Sequence, residues 1–145
     1  MLISTRGRYA IRVLIDIAEQ ASNDFIRLKD ITERQEISQK YVENIMTLLS
    51  KNGLVEGVHG KGGGYRLTRD PSEYKIADIL KVTEESLSPV ACLECNAQPC
   101  KRLAECRTLP MWRELNNMVN NFFNRITLAD LVRKDDNVSY LNSML

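Results

Sequence analysis

The stretch from Ile26 to Asp70, IRLKDITERQEISQKYVENIMTLLSKNGLVEGVHGKGGGYRLTRD, constrains the fold more than any other part of the chain. Leu28 to Gln35 reads as a short helix and EIS as a tight turn, after which Val42, Ile45, Met46 and Leu49 fall on one stripe of a longer helix. Ser38 is placed to cap that second helix, because its hydroxyl can accept from an amide of the first turn. Gly53 is placed to end it, where a left-handed residue is commonly required. Two helices joined so tightly predict a helix-turn-helix. The chain then reads strand, glycine-rich tip, returning strand: a β-hairpin in which Gly60, Gly62, Gly63 and Gly64 admit positive φ and close backbone approach. A helix-turn-helix followed by a basic hairpin predicts a winged helix, a fold that typically sets its second helix in a major groove and its wing on backbone or minor groove. A P-loop would need Lys-Ser or Lys-Thr after the last glycine and a helix starting there, whereas Tyr65 and Arg66 begin a strand.

The flanks complete the architecture. Ala10, Val13, Leu14, Ile17, Ala18 and Ala21 keep helical spacing from Thr5 to about Ala21, with Ser4 or Thr5 as cap. After the hairpin, EYKIADILKVTEESL predicts a helix with Ile76, Ile79 and Leu80 inward, and Pro89 and Pro99 make the next segment a loop. Pro110 suits the first turn of a long helix with two adjacent apolar seams, Met111, Leu115, Met118 and Phe122 on one and Trp112, Val119, Phe123 and Ile126 on the other. So wide a stripe exceeds one contact; docking on its own domain along one seam and on a second copy along the other accounts for both. The expectation is a two-fold homodimer through this helix, from about Pro110 to Asn124. Thr127 caps a short terminal helix carrying Leu128 and Leu131. The expected fold class is therefore mainly α with a small β-hairpin wing. It divides into a winged helix-turn-helix domain at 1–88, a cysteine-rich loop at 89–109, the dimerisation helix and short terminal helix at 110–134, and a loosely held tail at 135–145.

Charge does not name the partner by its sum, since 20 Lys and Arg against 19 Asp and Glu leave +1. Its distribution is more telling. Arg6, Arg8 and Arg12 form one basic cluster, and Lys61, Arg66 and Arg69 bracket the glycines in a second; two such patches suit a phosphate-binding face, with solvated surface charge as the alternative. Gln39, Lys40, Tyr41, Glu43, Asn44 and Thr47 point away from the buried stripe of the second helix, and most can hydrogen-bond base edges or phosphates. No apolar run approaches the roughly 20 residues that span a bilayer, and the N-terminus lacks a signal-peptide pattern, so a cytoplasmic protein with no membrane partner is expected. An enzyme is not expected: no Ser-His-Asp set can form around the single histidine, His59, on the wing.

All four cysteines lie in ACLECNAQPCKRLAEC, at Cys92, Cys95, Cys100 and Cys106. In a reducing compartment such a group points to metal ligation or thiol chemistry before structural disulfides. Four thiolates suit tetrahedral zinc or an iron-sulfur cluster. Only Cys92 and Cys95 form the two-residue knuckle that zinc sites usually pair, which favours the cluster; a disulfide or thiol switch remains open.

The chain resembles the Rrf-two (Rrf2) family of bacterial winged-helix regulators, in particular its IscR-like members, which control iron-sulfur cluster assembly genes. The resemblance is carried by STRGRYA at the start, DITERQEIS and YVENI in the helix-turn-helix, KNGLVEGVHGKGGGYRL across the wing, three of the cysteines, and WRELNN with ITLADLV near the end. It implies a homodimer on a pseudo-palindromic double-stranded operator with half-sites ~34 Å apart. It also implies that Ser38, Gln39, Lys40, Tyr41 and Glu43 lie at the groove, while Arg6, Arg8, His59, Gly60 and Lys61 supply backbone or minor-groove contacts. The Glu43 carboxylate could accept from cytosine N4 or repel a wrong edge; its alternative role is an intrahelical pair with Lys40.

The resemblance further implies an iron-sulfur cofactor, 2Fe-2S favoured over 4Fe-4S, with zinc as the rival. Relatives holding 2Fe-2S use three cysteines and a histidine three residues beyond the last; that position here is Leu109. Other relatives take an acidic side chain from the partner's N-terminal segment, where this chain has Arg6 and Arg8. Alignment makes Cys92, Cys100 and Cys106 the shared ligands and leaves Cys95 as the substitute fourth. The competing expectation is a winged-helix repressor governed by thiol oxidation, zinc or a protein partner, as in the family's regulators of cysteine metabolism.

Overall fold

The structure, a computed structural model, describes residues 2–20 and 23–132. Helix α1 (Thr5–Glu19) starts at Ser4, whose hydroxyl accepts the Gly7 amide at 3.0 Å, and it buries Ala10, Val13, Leu14 and Ile17. Its predicted last residue, Ala21, lies outside the described residues. Helix α2 (Leu28–Gln35) matches the expected bounds and ends in Glu36, which adopts left-handed φ 54°. That conformation makes the turn sharp without a glycine. Helix α3 (Gln39–Lys51) is capped by Ser38, which accepts from Tyr41 N at 3.3 Å, and buries Val42, Ile45, Met46 and Leu49. Gly53, at φ 71°, turns the chain away from it as expected.

Strands β1 (Val55–Val58) and β2 (Gly64–Leu67) form the antiparallel wing, with Val55 opposite Leu67 and Val58 opposite Gly64. Ile26 joins the edge of β2 through reciprocal 2.8 Å hydrogen bonds with Tyr65, so the segment before α2 anchors the hairpin. A 3-10 turn, Pro71–Glu73, leads to helix α4 (Ile76–Thr83), which buries Ile76, Ile79 and Leu80 as predicted but stops before Glu84. Glu84 is already extended, at ψ 144°. Among the described residues two further α-helices follow, α5 (Leu109–Arg125), with Pro110 in its first turn, and α6 (Leu128–Val132). The tail at 135–145 lies outside the described residues.

One core joins these elements. Tyr74 is fully buried, donates to the Leu54 carbonyl at 2.7 Å and accepts from the Thr68 amide at 3.0 Å, which fixes the base of the wing to the end of α3. The chain after α5 returns to the same place: Ile76 N donates to Ile126 O at 2.9 Å and Leu128 N to Tyr74 O at 2.8 Å. Leu109 opens α5 in a buried position, and Ile126 and Leu128 are buried just beyond it. Helix α5 is therefore pinned at both ends while Met111, Leu115, Met118 and Phe122 along its middle stay exposed. The second seam, Trp112, Val119 and Phe123, is half-buried.

Among the described residues the one buried carboxylate is Asp16, 2% exposed. It accepts from Arg34 Nη2 at 2.7 Å and Nε at 3.0 Å, and from Gln35 Nε2 at 2.8 Å, tying α1 to the end of α2. The Asp16 bond holds the Arg34 guanidinium above its ordinary range, against a smaller opposing effect of burial. Replacing the carboxylate by a methyl leaves both donors unpaired at a tight joint. Asp16→Ala is expected to lower unfolding free energy by about 2–3 kcal/mol in urea titration with unchanged m-value.

Candidate nucleic-acid interface and thiol loop

Folding brings the exposed face of α3, the wing and the first turn of α1 to one side of the molecule. On α3, Ser38, Gln39, Lys40, Glu43, Asn44 and Thr47 are exposed, and Tyr41 is half-buried with its ring edge-on to Tyr9 at 5.5 Å. Glu43 does not pair with Lys40: its carboxylate accepts from Gln39 Nε2 at 2.9 Å, one turn earlier on the same face. A groove of about 700 Å³ separates α3 from the hairpin and is lined by Arg27, Glu43, Thr47, Lys51, His59 and Tyr65 among others. His59, Gly60 and Lys61 stand exposed at the tip.

The glycines have separate reasons. Gly60 and Gly62 take φ 97° and 77° to turn the tip. Gly64, at φ 153°, lies against the Ile26 carbonyl so closely that a Cβ would collide with it. The hairpin can be anchored beside α2 only because that residue has no side chain.

The arginines of the two basic clusters also have partners within the fold. Arg6 directs Nε and Nη2 to the Thr83 carbonyl at 3.0 and 2.6 Å, closing the end of α4. Arg12 reaches the side chain and carbonyl of Gln35, closing the end of α2, and lies 5.1 Å from the Tyr9 ring centre. A cation at a helix C-terminus satisfies orphan carbonyls and the helix dipole together. Arg66 stacks 4.4 Å above Phe25 and pairs with Glu56 across the hairpin, and Arg69 stacks 4.6 Å above Tyr74. Arg8 remains exposed with a 3.1 Å bond to Thr5 Oγ1. A second cleft, of about 340 Å³, runs between the start of α1 and α3, with Ser4, Thr5 and Arg6 on one wall and Tyr41 and Asn44 on the other. Thr5 and Arg27 thus join the candidate face without having been picked out in the sequence, since only the packing of α1 and the hairpin on α3 brings them there.

The thiol loop lies between α4 and α5. Cys92 sits in a 3-10 turn, Ala91–Leu93, and Cys106 follows another, Leu103–Glu105, just ahead of α5. All four thiols are unbridged; Cys92, Cys95 and Cys100 are exposed and Cys106 is half-buried. The Thr108 hydroxyl, 3.5 Å from Cys106 Sγ, lowers that thiol's pKa from its ordinary value, with backbone amides at the start of α5 adding to the effect. Among the described residues no three Cys, His, Asp or Glu side chains are gathered as for a metal ion. By donor chemistry the set nonetheless suits a soft metal: four reduced thiols reach solvent from one loop whose regular structure is limited to two short turns. Leu109, in the place of the relatives' histidine, is 7% exposed and anchors α5 in the core.

The family model described as "Iron-dependent Transcriptional regulator", Rrf2, matches residues 3–134. The chain belongs to the Rrf2 family. It is 38% identical over 136 residues to the HTH-type transcriptional regulator IscR of Serratia proteamaculans (strain 568), a match spanning 94% of this chain and 82% of that protein. The structure of CymR, the global cysteine regulator of B. subtilis, superposes with TM-score 0.73 at 32% identity, covering 91% of this chain and 96% of that one. T. potens IscR superposes with TM-score 0.72 at 29% identity, covering 98% and 96%. The fold is that of the winged-helix Rrf2 regulators, and the chain is an IscR-like transcriptional regulator, not an enzyme. Among the described residues no helix is long and apolar enough to cross a membrane.

Because Gly64 carries the hairpin's anchorage in this Rrf2 fold, Gly64→Ala is expected to cost about 2 kcal/mol or more in thermal or urea unfolding. Exchange of the Tyr65 amide should accelerate in the same variant, whereas Gly60→Ala should leave that amide protected.

Proposed function

We propose that this chain works as a homodimer that reads a pseudo-palindromic DNA operator and changes its grip on it when the cysteine loop binds an iron-sulfur cluster. The observation that carries the reading is the loop itself: four unbridged thiols stand between α4, which abuts the reading elements, and α5, whose outer face is uncovered. Likeness to the IscR regulators supports the cluster over other loop chemistries.

In this reading α3 enters the major groove with Ser38, Gln39, Lys40 and Tyr41 toward bases and phosphates. The Gln39–Glu43 bond presents an amide and a carboxylate as one unit, so Glu43 favours a cytosine N4 edge and disfavours acceptor-rich edges. His59, Gly60 and Lys61 follow the backbone from the wing, and Arg8 does so from α1. Lys61→Ala should weaken binding alike on all duplexes and lower the slope of log K against log salt by about 1. Met111, Leu115, Met118 and Phe122 pair two copies of α5, which sets the separation of the two reading heads.

Cys92, Cys95, Cys100 and Cys106 would hold the cluster, which supplies a redox- and oxygen-labile crosslink within the loop. The loop's part is to exist in ordered and relaxed forms, and the cluster biases operator affinity only as far as it prefers one of them. Anaerobic reconstitution with iron and sulfide should give a brown dimer whose colour and iron content fall sharply in Cys95→Ala. A colourless protein that instead holds zinc, or that responds to thiol oxidants alone, would move the reading to the thiol- or zinc-governed repressor. Met118→Glu together with Phe122→Glu should yield a monomer by light scattering.

A further inference from the structure

We propose that Glu84 is a positioning residue for DNA binding. From the head of the segment that carries the cysteines, its carboxylate holds the first turn of α1 against the edge of α3. This rests on the reading of α3 as the helix that contacts DNA.

Four observations converge on one joint. Glu84 Oε1 accepts from the Ser4 hydroxyl at 2.7 Å and from the Ser4 amide at 3.2 Å. The adjoining Thr83 carbonyl takes both Arg6 donors, so two consecutive residues at the end of α4 grip two of the first residues of the chain. Gly7 is buried beneath this carboxylate, and a Cβ there would collide with Glu84 Oε1, so the approach needs a glycine. The Ser4 hydroxyl is also the cap of α1, accepting the Gly7 amide at 3.0 Å while it donates to Glu84.

That double duty explains how the carboxylate acts at a distance. A serine hydroxyl has one proton and rotates freely. With the proton directed to Glu84, the lone pairs face the Gly7 amide and the cap is fixed; without an acceptor there, nothing holds the rotor. The turn so fixed carries Thr5 and Arg6, which form one wall of the cleft opposite Tyr41 and Asn44. Glu84 itself is not among the residues lining that cleft. Its influence on a duplex at α3 is therefore geometric, through Ser4, or electrostatic, through its charge, and the two have opposite signs. A carboxylate near phosphates repels them, so its removal should tighten binding if charge alone matters. Loss of the turn's position should weaken it.

The experiment uses the full chain and the duplex that the unmodified protein selects from a random-sequence pool, with affinity measured by fluorescence anisotropy at several salt concentrations. Glu84→Ala is expected to bind about five- to tenfold more weakly although a negative charge has been removed. Glu84→Gln retains an oxygen that can accept from Ser4, and it should bind within about twofold of the parent or more tightly. Amide exchange at Gly7 and Arg8 should quicken in the alanine variant only. Glu84→Ala binding as tightly as the parent, or Glu84→Gln as weak as Glu84→Ala, overturns the proposal. Both variants carry a half-exposed substitution, and far-UV circular dichroism below the melting transition verifies that each is folded. Lys40→Ala checks the underlying reading separately: a parent that selects a duplex while Lys40→Ala binds it unchanged removes α3 from the interface, and the clamp's role with it.

Discussion

The structure depends on the burial of a single helix stripe. Ala10, Val13, Leu14 and Ile17 of α1 are almost entirely withdrawn from water, and the neighbours that cover them include α2, α3, α4 and α6. Side chains fixed by so many neighbours leave α1 little freedom to rotate, since closely packed interiors transmit strain instead of absorbing it. The Asp16 carboxylate at the inner end of this stripe adds direction to the packing. A hydrophobic stripe alone tolerates some rotation of α2, but a carboxylate shared by Arg34 and Gln35 does not. The angle between α2 and α3 follows from that joint and from the left-handed Glu36 immediately after it.

Once α1 is fixed, two of its exposed arginines also gain partners within the fold. Arg6 and Arg12 project toward the ends of α4 and α2, where last-turn carbonyls lack partners, and their guanidinium groups close them. Arg66 and Arg69 likewise sit over the rings of Phe25 and Tyr74. These cations shape the surface as well as supplying its charge, and among the described residues only Arg66 of this set is paired with a carboxylate, that of Glu56.

Much of this was legible in the sequence, and the parts that were not share a cause. Periodicity located Val42, Ile45, Met46 and Leu49 on one face, and the cap at Ser38 and the stop at Gly53 set both ends of α3, because those signals are local. The helix start at Pro110 and the helix stripe from Ala10 to Ile17 were equally local. Periodicity failed at the end of α4, where EESL continues a plausible helix but Glu84 turns away to reach Ser4, 80 positions earlier. It failed for the partner of Glu43 because i and i+3 or i+4 neighbours on both sides compete, and sequence spacing does not rank Lys40 against Gln39. Charge clustering did not assign the arginines' partners for the same reason: which distant carbonyl or ring an arginine meets is not contained in its spacing. The thiols were located by sequence, but their approach to one another is a property of loop conformation, not of spacing.

The two ends of the thiol segment are unlike, and the difference bears on how it can act. At its C-terminal end, Cys106 leads within three residues into Leu109, a side chain buried in the core at the start of α5, so this end is held by packing. At its N-terminal end packing and polar bonds combine: Leu87 is half-buried against the core, Glu84 bonds Ser4, and within the segment the Ser88 hydroxyl donates to the Leu93 carbonyl at 3.0 Å. Packed apolar contacts resist small displacements and fail together, whereas hydrogen bonds to a rotatable hydroxyl can be exchanged one at a time. A conformational change among the four sulfurs therefore meets apolar packing at α5, and at the other end a boundary whose polar part lies at the first turn of α1. That polar part is the one that borders the cleft beside α3.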